Sequence, residues 1–93
     1  MTKIGPFNVA YDQHADILYL NVGHGIAARG SEDENGIVWR YSQDGAVIGM
    51  TLMDFRDFWL ARKSALVDEI SRGFHVSFRE ASAAIDNAAR NVA

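Results

Sequence analysis

The sequence contains no cysteine, only one proline and no long run of apolar residues. Without cysteine the chain cannot form disulfide bonds, thiolate zinc sites, iron–sulfur clusters or a cysteine nucleophile. No segment approaches the roughly 18 apolar residues that a membrane-spanning helix needs. Residues 1–16 lack the apolar stretch of a secretory signal. We therefore expect a cytoplasmic protein that does not contact a membrane.

Basic charge is also scarce, because nine Lys and Arg residues stand against twelve Asp and Glu, a net charge of −3. Nucleic-acid-binding proteins usually carry a basic excess that neutralises phosphates. The small basic cluster Arg56, Arg62 and Lys63 is better explained as the solvated side of a helix. Nucleic acid is therefore not an expected partner. The 93 residues fit a single domain, with a sheet over 7–54 and a helical extension over 55–93.

The hydrophobic pattern before residue 55 is typical of β-strands, with alternating or short apolar blocks between turn residues. Four strands are predicted, at 7–11, 17–22, 37–41 and 46–53, and residues 26–29 are the candidate for a fifth short strand. The connections are too short for parallel crossovers. We therefore predict an antiparallel β-meander.

From residue 55 onward the pattern becomes helical. A first helix is predicted from Asp54 or Asp57 to about Arg72, where Gly73 is expected to end it in a left-handed conformation. A second helix follows a short link. Together with the sheet, the two C-terminal helices predict an α+β fold in which the helices pack on the sheet.

The second helix begins with a capping box formed by Ser77 and Glu80, in which each side chain satisfies a free backbone N–H. Its apolar side is spaced three and four residues apart and consists of Phe78, Ala81, Ile85, Ala88 and Val92. This side is largely alanine, so a close approach to the rest of the protein is expected.

Both faces of the predicted sheet carry apolar or aromatic residues. An antiparallel sheet with one solvent-exposed face should instead carry polar residues on that face. Either the two helices are divided between the faces, or one face is buried against another chain. We favour the second option and expect a homodimer, because exposed aromatic patches mark interfaces. The expected contact residues are Tyr19, Trp39 and Tyr41 on the sheet and Ile85 on the last helix.

Residues 11–20, YDQHADILYL, resemble the opening signature Y-D-x-x-A-D-x-L-Y of a small bacterial family, domain of unknown function 2283. Residues 44–54, DGAVIGMTLMD, are similar to the later turn and strand of that family. The resemblance covers about residues 7–55 and implies a compact β-rich domain with no established activity. Genes of the family often lie beside genes for small toxin-like proteins, so the resemblance also implies an antitoxin-like role toward such a partner.

Asp12, His14 and Asp16 are the candidate ligand or metal site. A histidine flanked by carboxylates is compatible with a zinc or manganese site or with acid–base catalysis, and His24 would join it if the sheet brought it near. The alternative is structural, because aspartates that bracket a turn accept backbone N–H bonds. We favour the structural alternative and expect neither a cofactor nor enzymatic activity.

Two further features bear on function. The acidic residues 32–34 do not belong to a calcium-binding EF-hand loop, since Ser42 occupies the position of the essential glutamate. Gly49 lies inside a predicted strand, which indicates a bulge or the close approach of the Tyr19 or Trp39 ring. The sequence as a whole predicts a non-catalytic protein-interaction module.

Overall fold

The computed structural model describes residues 2–23 and 25–92. In this part of the chain six strands form one antiparallel sheet: β1 Thr2–Ile4, β2 Phe7–Asp12, β3 Ile17–Val22, β4 Arg29–Glu32, β5 Val38–Tyr41 and β6 Val47–Met53. A π-helical turn, Phe55–Trp59, and a 3-10 turn, Leu60–Arg62, lead into two helices, α1 Lys63–Phe74 and α2 Phe78–Ala89. The predicted α+β class, with an antiparallel sheet and two C-terminal helices, is confirmed.

The strands lie in the order β1-β2-β3-β6-β5-β4, so β6 returns to pair with β3 and the sheet is not a plain meander. The described chain has six strands rather than four or five. The additional strand is β1, and β4 lies at Arg29–Glu32 instead of 26–29. Both are short edge strands, and β4 is exposed at every position. A hydrophobic pattern cannot locate a strand that buries no side chain.

One face of the sheet packs against both helices in a single core. The core residues of the sheet alternate along their strands, as the pleat requires: Phe7, Val9, Leu18, Leu20, Ile37, Trp39, Met50 and Leu52. The helical half contributes Phe55, Trp59, Leu66, Val67, Ile70, Ala81, Ala84, Ile85 and Ala88. Because one core contains residues of both helices, the helices cover the same face. We call the opposite face of the sheet the open face.

The helix ends agree only in part with those predicted from the sequence. The left-handed residue that ends α1 is His75, with φ 56°, rather than Gly73. Gly73 lies inside α1 beneath the Trp39 ring, where a Cβ atom would come within 2.4 Å of a ring carbon. Glycine is required there for packing and not for a turn. The capping box of Ser77 and Glu80 is present as predicted.

The apolar side of α2 also needs one correction. Ala81, Ile85 and Ala88 are buried as predicted, but Phe78 is 57% exposed. Within residues 2–23 and 25–92, neither helix has the length and apolar character needed to cross a bilayer.

The register of β5 and β6 shifts near Gly49. Arg40 pairs with Gly49 while Tyr41 pairs with Val47, which leaves Ile48 without a partner. Val47 packs against the core, whereas Ile48 lines a cleft on the open face with Arg40. The predicted irregularity at Gly49 is therefore present, although the group that approaches this glycine is not an aromatic ring.

Candidate functional site

The three residues of the predicted ligand site do not meet in the structure. Asp12 is exposed at the end of β2, and its Oδ1 accepts hydrogen bonds from the backbone N–H groups of His14 at 3.0 Å and Ala15 at 3.1 Å. The His14 side chain is exposed in the same turn, while Asp16 is buried. His24 lies outside the described residues. Asp12 therefore closes the turn, as the structural interpretation predicts, and Asp16 has a different role.

Asp16 joins the turn after β2 to the first helical segment. Its Oδ1 accepts hydrogen bonds from the Tyr11 hydroxyl at 2.6 Å and the Arg56 N–H at 2.7 Å. Its Oδ2 accepts from the Asp57 N–H at 3.1 Å, and its backbone carbonyl accepts from the Phe55 N–H. Three consecutive N–H groups at the start of a helical segment are thus satisfied by one residue, which acts as an N-cap from a distant part of the chain.

Burial and hydrogen bonding shift the pKa of the Asp16 carboxylate in opposite directions. Burial raises the pKa of Asp16, but hydrogen bonds from Tyr11 and from the Arg56 and Asp57 amides, together with the nearby Arg56 charge, outweigh it and hold the pKa below its ordinary value. Burial, the hydrogen bond to Asp16 and the charge of Asp16 raise the pKa of Tyr11 to about 12. At neutral pH the pair is a carboxylate and a neutral phenol.

Asp16, Asp54 and Asp57 form an acidic cluster in which carboxylate oxygens of all three lie within 4.8 Å of one another. Oxygen clusters of this kind suit hard divalent cations. Both Asp16 oxygens, however, already accept hydrogen bonds, and Asp57 Oδ1 accepts one from Arg56 Nε at 3.1 Å. The cluster is better explained by the preference of acidic side chains for a helix N-terminus.

The structure separates the four expected contact residues. Trp39 is buried on the helix-covered face, where its Nε1 donates to Asp33 Oδ2 at 2.9 Å. Ile85 is fully buried in α2. Tyr41 packs against the core beneath the Arg29 guanidinium, which lies 4.2 Å from its ring centroid. The prediction that Trp39 and Ile85 lie on a contact surface is therefore wrong, because both side chains belong to the core.

Tyr19 alone among the four lies on the open face. Strand register places Ile17 beside Met53, and Tyr19 and Val38 on either side of Thr51. Ile17, Tyr19 and Val38 are half-buried, and Met53 is 53% exposed. We call these four residues the apolar end of the open face.

The other end of the open face is polar. Strand pairing places six residues in one row across the sheet: Lys3, Asn8, Asn21, Gly49, Arg40 and Gly30. Arg40 Nη2 donates to Asn21 Oδ1 at 2.9 Å, and Arg40 Nη1 donates to Thr51 Oγ1. The guanidinium thus crosses β6 above Gly49, since a Cβ at that position would lie 2.8 Å from both Nε and Nη2.

Sequence reasoning did not identify Arg40, Asn21 and Asn8 as one group. Two sequence features could have indicated this group: Arg40 is a charged residue within an apolar strand, and Gly49 is a glycine within the following strand. The bulge shifts the register between these strands. Without the bulge, the pairing of Tyr41 with Val47 would place Arg40 opposite Ile48 and not opposite Gly49.

Comparison with known families identifies the β-rich part of the chain. The family model described as protein of unknown function DUF2283 matches residues 8–56. No curated protein and no solved structure matches the chain. The matched region includes Tyr11, Asp16 and Arg56, so the hydrogen bonds that join them lie within it. Because the match spans more than half of the 93 residues, the chain belongs to the DUF2283 family of proteins of unknown function.

Proposed function

We propose that this chain is a non-catalytic protein-interaction module that associates with a second copy of itself through the open face. The observation that carries the proposal is the apolar end of that face, formed by Ile17, Tyr19, Val38 and Met53. An antiparallel sheet with one face packed on helices normally has a polar outer face. Contiguous apolar area that the helices leave uncovered supports a docking surface.

The accessible surface of the described chain supports an independently folded protomer. It is 5391 Å², and a compact monomer of this mass is expected to expose about 5,400 Å². Self-association would therefore join two folded copies rather than complete an unfinished core. Substitutions on the open face consequently test association without removing the protomer's own core.

A small toxin-like partner, as the family resemblance implies, would use the same open face. Such a partner would compete with self-association, because two partners cannot cover one face together. The antitoxin-like role stays a prediction from the resemblance alone.

The test replaces Tyr19 by lysine at the centre of the open face. We expect Tyr19→Lys to weaken self-association at least about tenfold, which corresponds to about 1.4 kcal/mol, as measured by sedimentation velocity over a concentration series. Phe78→Lys is the matched control, since Phe78 is an exposed aromatic residue at the start of α2. Equal association of both variants and the wild type, or a wild type that stays monomeric, would refute the proposal.

A further inference from the structure

We infer that the polar end of the open face contains a carboxylate-binding site centred on Arg40. The shared chemistry is a monovalent carboxylate, supplied either by an acidic side chain of the second copy or by a free small carboxylate. The first source rests on the proposed function, whereas the site itself does not.

The Arg40 guanidinium is held in place by neutral groups only. Its acceptors are Thr51 Oγ1, Asn21 Oδ1 at 2.9 Å and the Met50 carbonyl oxygen at 3.4 Å. No carboxylate oxygen of the described chain forms an ion pair with it. Arginine offers five N–H donors, so its charge and part of its donor capacity are unmatched. A half-buried guanidinium is recognised best by a carboxylate or another oxyanion.

Gly49 makes this arrangement possible. A Cβ at position 49 would lie 2.7 Å from Asn21 Oδ1 and 2.8 Å from Arg40 Nε. The guanidinium therefore occupies space that any other residue at position 49 would fill. This geometry holds Arg40 across the sheet surface and restricts its extension into solvent, which lowers the entropic cost of binding a ligand.

A cleft of about 350 Å³ adjoins the guanidinium, a volume within the range of small-ligand sites. Its described lining contains no acidic side chain: Asn8, Asn21, Val22, Gly23, Gly25, Ala27, Arg40 and Ile48. Because Asn21 Oδ1 accepts from Arg40, the amide hydrogens of Asn21 remain available as donors. Asn8 stands directly across from Asn21 in the register and offers a second amide.

The charge of the lining selects among anions. Arg40 is the one cation among the described lining residues, and the asparagines contribute neutral donors. One positive charge with two amides matches a monovalent carboxylate better than a phosphate dianion, whose second charge would lack a partner. A neutral ligand would leave the Arg40 charge unmatched.

The experiment titrates sodium acetate into the full chain, with sodium chloride at equal ionic strength as reference, and follows the Arg40 Nε–H and Asn21 amide resonances by NMR. We expect saturable shifts with acetate that chloride does not produce. Arg40→Gln should weaken acetate binding at least about tenfold at the Asn21 resonance. Arg79→Gln is the charge-matched control, since Arg79 is exposed on α2, and it should bind acetate like the wild type.

A second variant separates geometry from charge. Gly49→Ala keeps every charge and displaces the flexible end of Arg40, so it should retain the circular dichroism spectrum and lose acetate binding. Equal shifts with chloride, unchanged affinity in Arg40→Gln or Gly49→Ala, or tighter binding of inorganic phosphate than of acetate would each overturn the assignment.

Protein concentration distinguishes the two carboxylate sources. If the second copy supplies the group, the Arg40 Nε–H resonance shifts as the protein is concentrated, and acetate weakens self-association in sedimentation velocity because it competes for Arg40. If the source is a free carboxylate, the resonance responds to acetate alone. Tyr19→Lys, in which self-association is expected to be weakened, should still bind acetate. Acetate binding without self-association therefore refutes the proposed function alone, and self-association without acetate binding refutes the site alone.

Discussion

Asp16 has a left-handed backbone conformation, with φ 58°, and a side chain that is 4% exposed. A buried carboxylate is stable only when hydrogen bonds replace its lost hydration. The bonds come from Tyr11 and from amides about 40 positions later in the chain. The π-helical turn supplies no cap of its own, because Asp54 is left-handed and its side chain makes no capping bond. One residue thus connects a β-turn to the beginning of the helical half.

Replacing Asp16 by asparagine tests this connection. Asparagine tolerates the left-handed conformation, but it loses the charge and turns one acceptor into a donor. We expect Asp16→Asn to lower the free energy of unfolding by about 2 kcal/mol, the cost of losing hydrogen bonds to a charged group, as measured by urea denaturation. Asp12→Asn is the control and should stay within about 0.5 kcal/mol, since an asparagine oxygen also closes the turn. Equal effects of the two substitutions would contradict the capping role.

The Tyr11–Asp16 pair also predicts how stability depends on pH. The pKa of Asp16 is lower in the folded state than its ordinary 3.8. Its contribution to the free energy of unfolding is therefore fully present above pH 3.8 and is lost as the pH falls through the pKa of the folded state. The pKa of Tyr11 is raised from 10.0 to about 12, so its contribution is present below pH 10 and is lost between about pH 10 and 12.

Unfolding curves of the wild type, Asp16→Asn and Tyr11→Phe across pH measure both effects. The stability difference between the wild type and Asp16→Asn should shrink as pH falls below 3.8, and Tyr11→Phe should lack the tyrosine-dependent loss between about pH 10 and 12. A difference between the wild type and Asp16→Asn that stays constant with pH would show that the pKa of Asp16 is the same in the folded and unfolded states, which would contradict the lowered pKa of the folded protein.

At the scale of elements, the contact between α1 and β5 depends on one glycine. The Trp39 ring lies on Gly73 and also contacts the Phe74 ring, with centroids 5.7 Å apart. An aromatic ring can approach a helix backbone this closely only where the helix lacks a side chain. The glycine therefore fixes the distance between the helix and the sheet.

Gly73→Ala should destabilise the protein by about 1–3 kcal/mol through overpacking, although alanine favours a helix by up to about 1 kcal/mol. Urea denaturation measures the change. Ser64→Ala, at an exposed position of the same helix, is the control and should be neutral or slightly stabilising. A stabilising effect of Gly73→Ala would contradict the packing role.

The sequence allowed prediction of those elements that bury a regular face. The alternation along β2 and β3, the capping box at Ser77 and the apolar side of α2 were all readable, because local chemistry and burial agree there. The edge strands bury little, so β1 was not predicted and β4 was predicted three residues too early, at 26–29. The roles of Asp16 and Gly73 depend on partners far along the chain, Arg56 and Trp39, which no local spacing can identify.

The candidate site was less predictable than the fold for the same reason. Tyr19 was assigned correctly to the face opposite the core, since β3 alternates without interruption. Trp39 was taken for a contact residue because an aromatic residue in a strand has the same pattern whether it faces a helix or a partner. Arg40 became significant only through its position above Gly49, which the bulge between β5 and β6 sets.

At the scale of the whole molecule, the protein has two unlike surfaces. Two helices cover one face of the sheet, while the open face presents an apolar end and a polar end that contains Arg40. Exposed apolar patches mark interaction surfaces, so the proposed docking surface would explain why this face is not uniformly polar. We propose that self-association covers the apolar end of the open face.

The most direct measurement is an isotope-filtered NOE spectrum of an equimolar mixture of ¹³C-labelled and unlabelled chains. Only contacts between two copies give signals in this spectrum. We expect intermolecular NOEs to the methyl groups of Ile17, Val38 and Met53, and none to the ring of Phe78 on the helical side. Intermolecular NOEs confined to the helical side, or none at concentrations where sedimentation detects a dimer, would contradict this expectation.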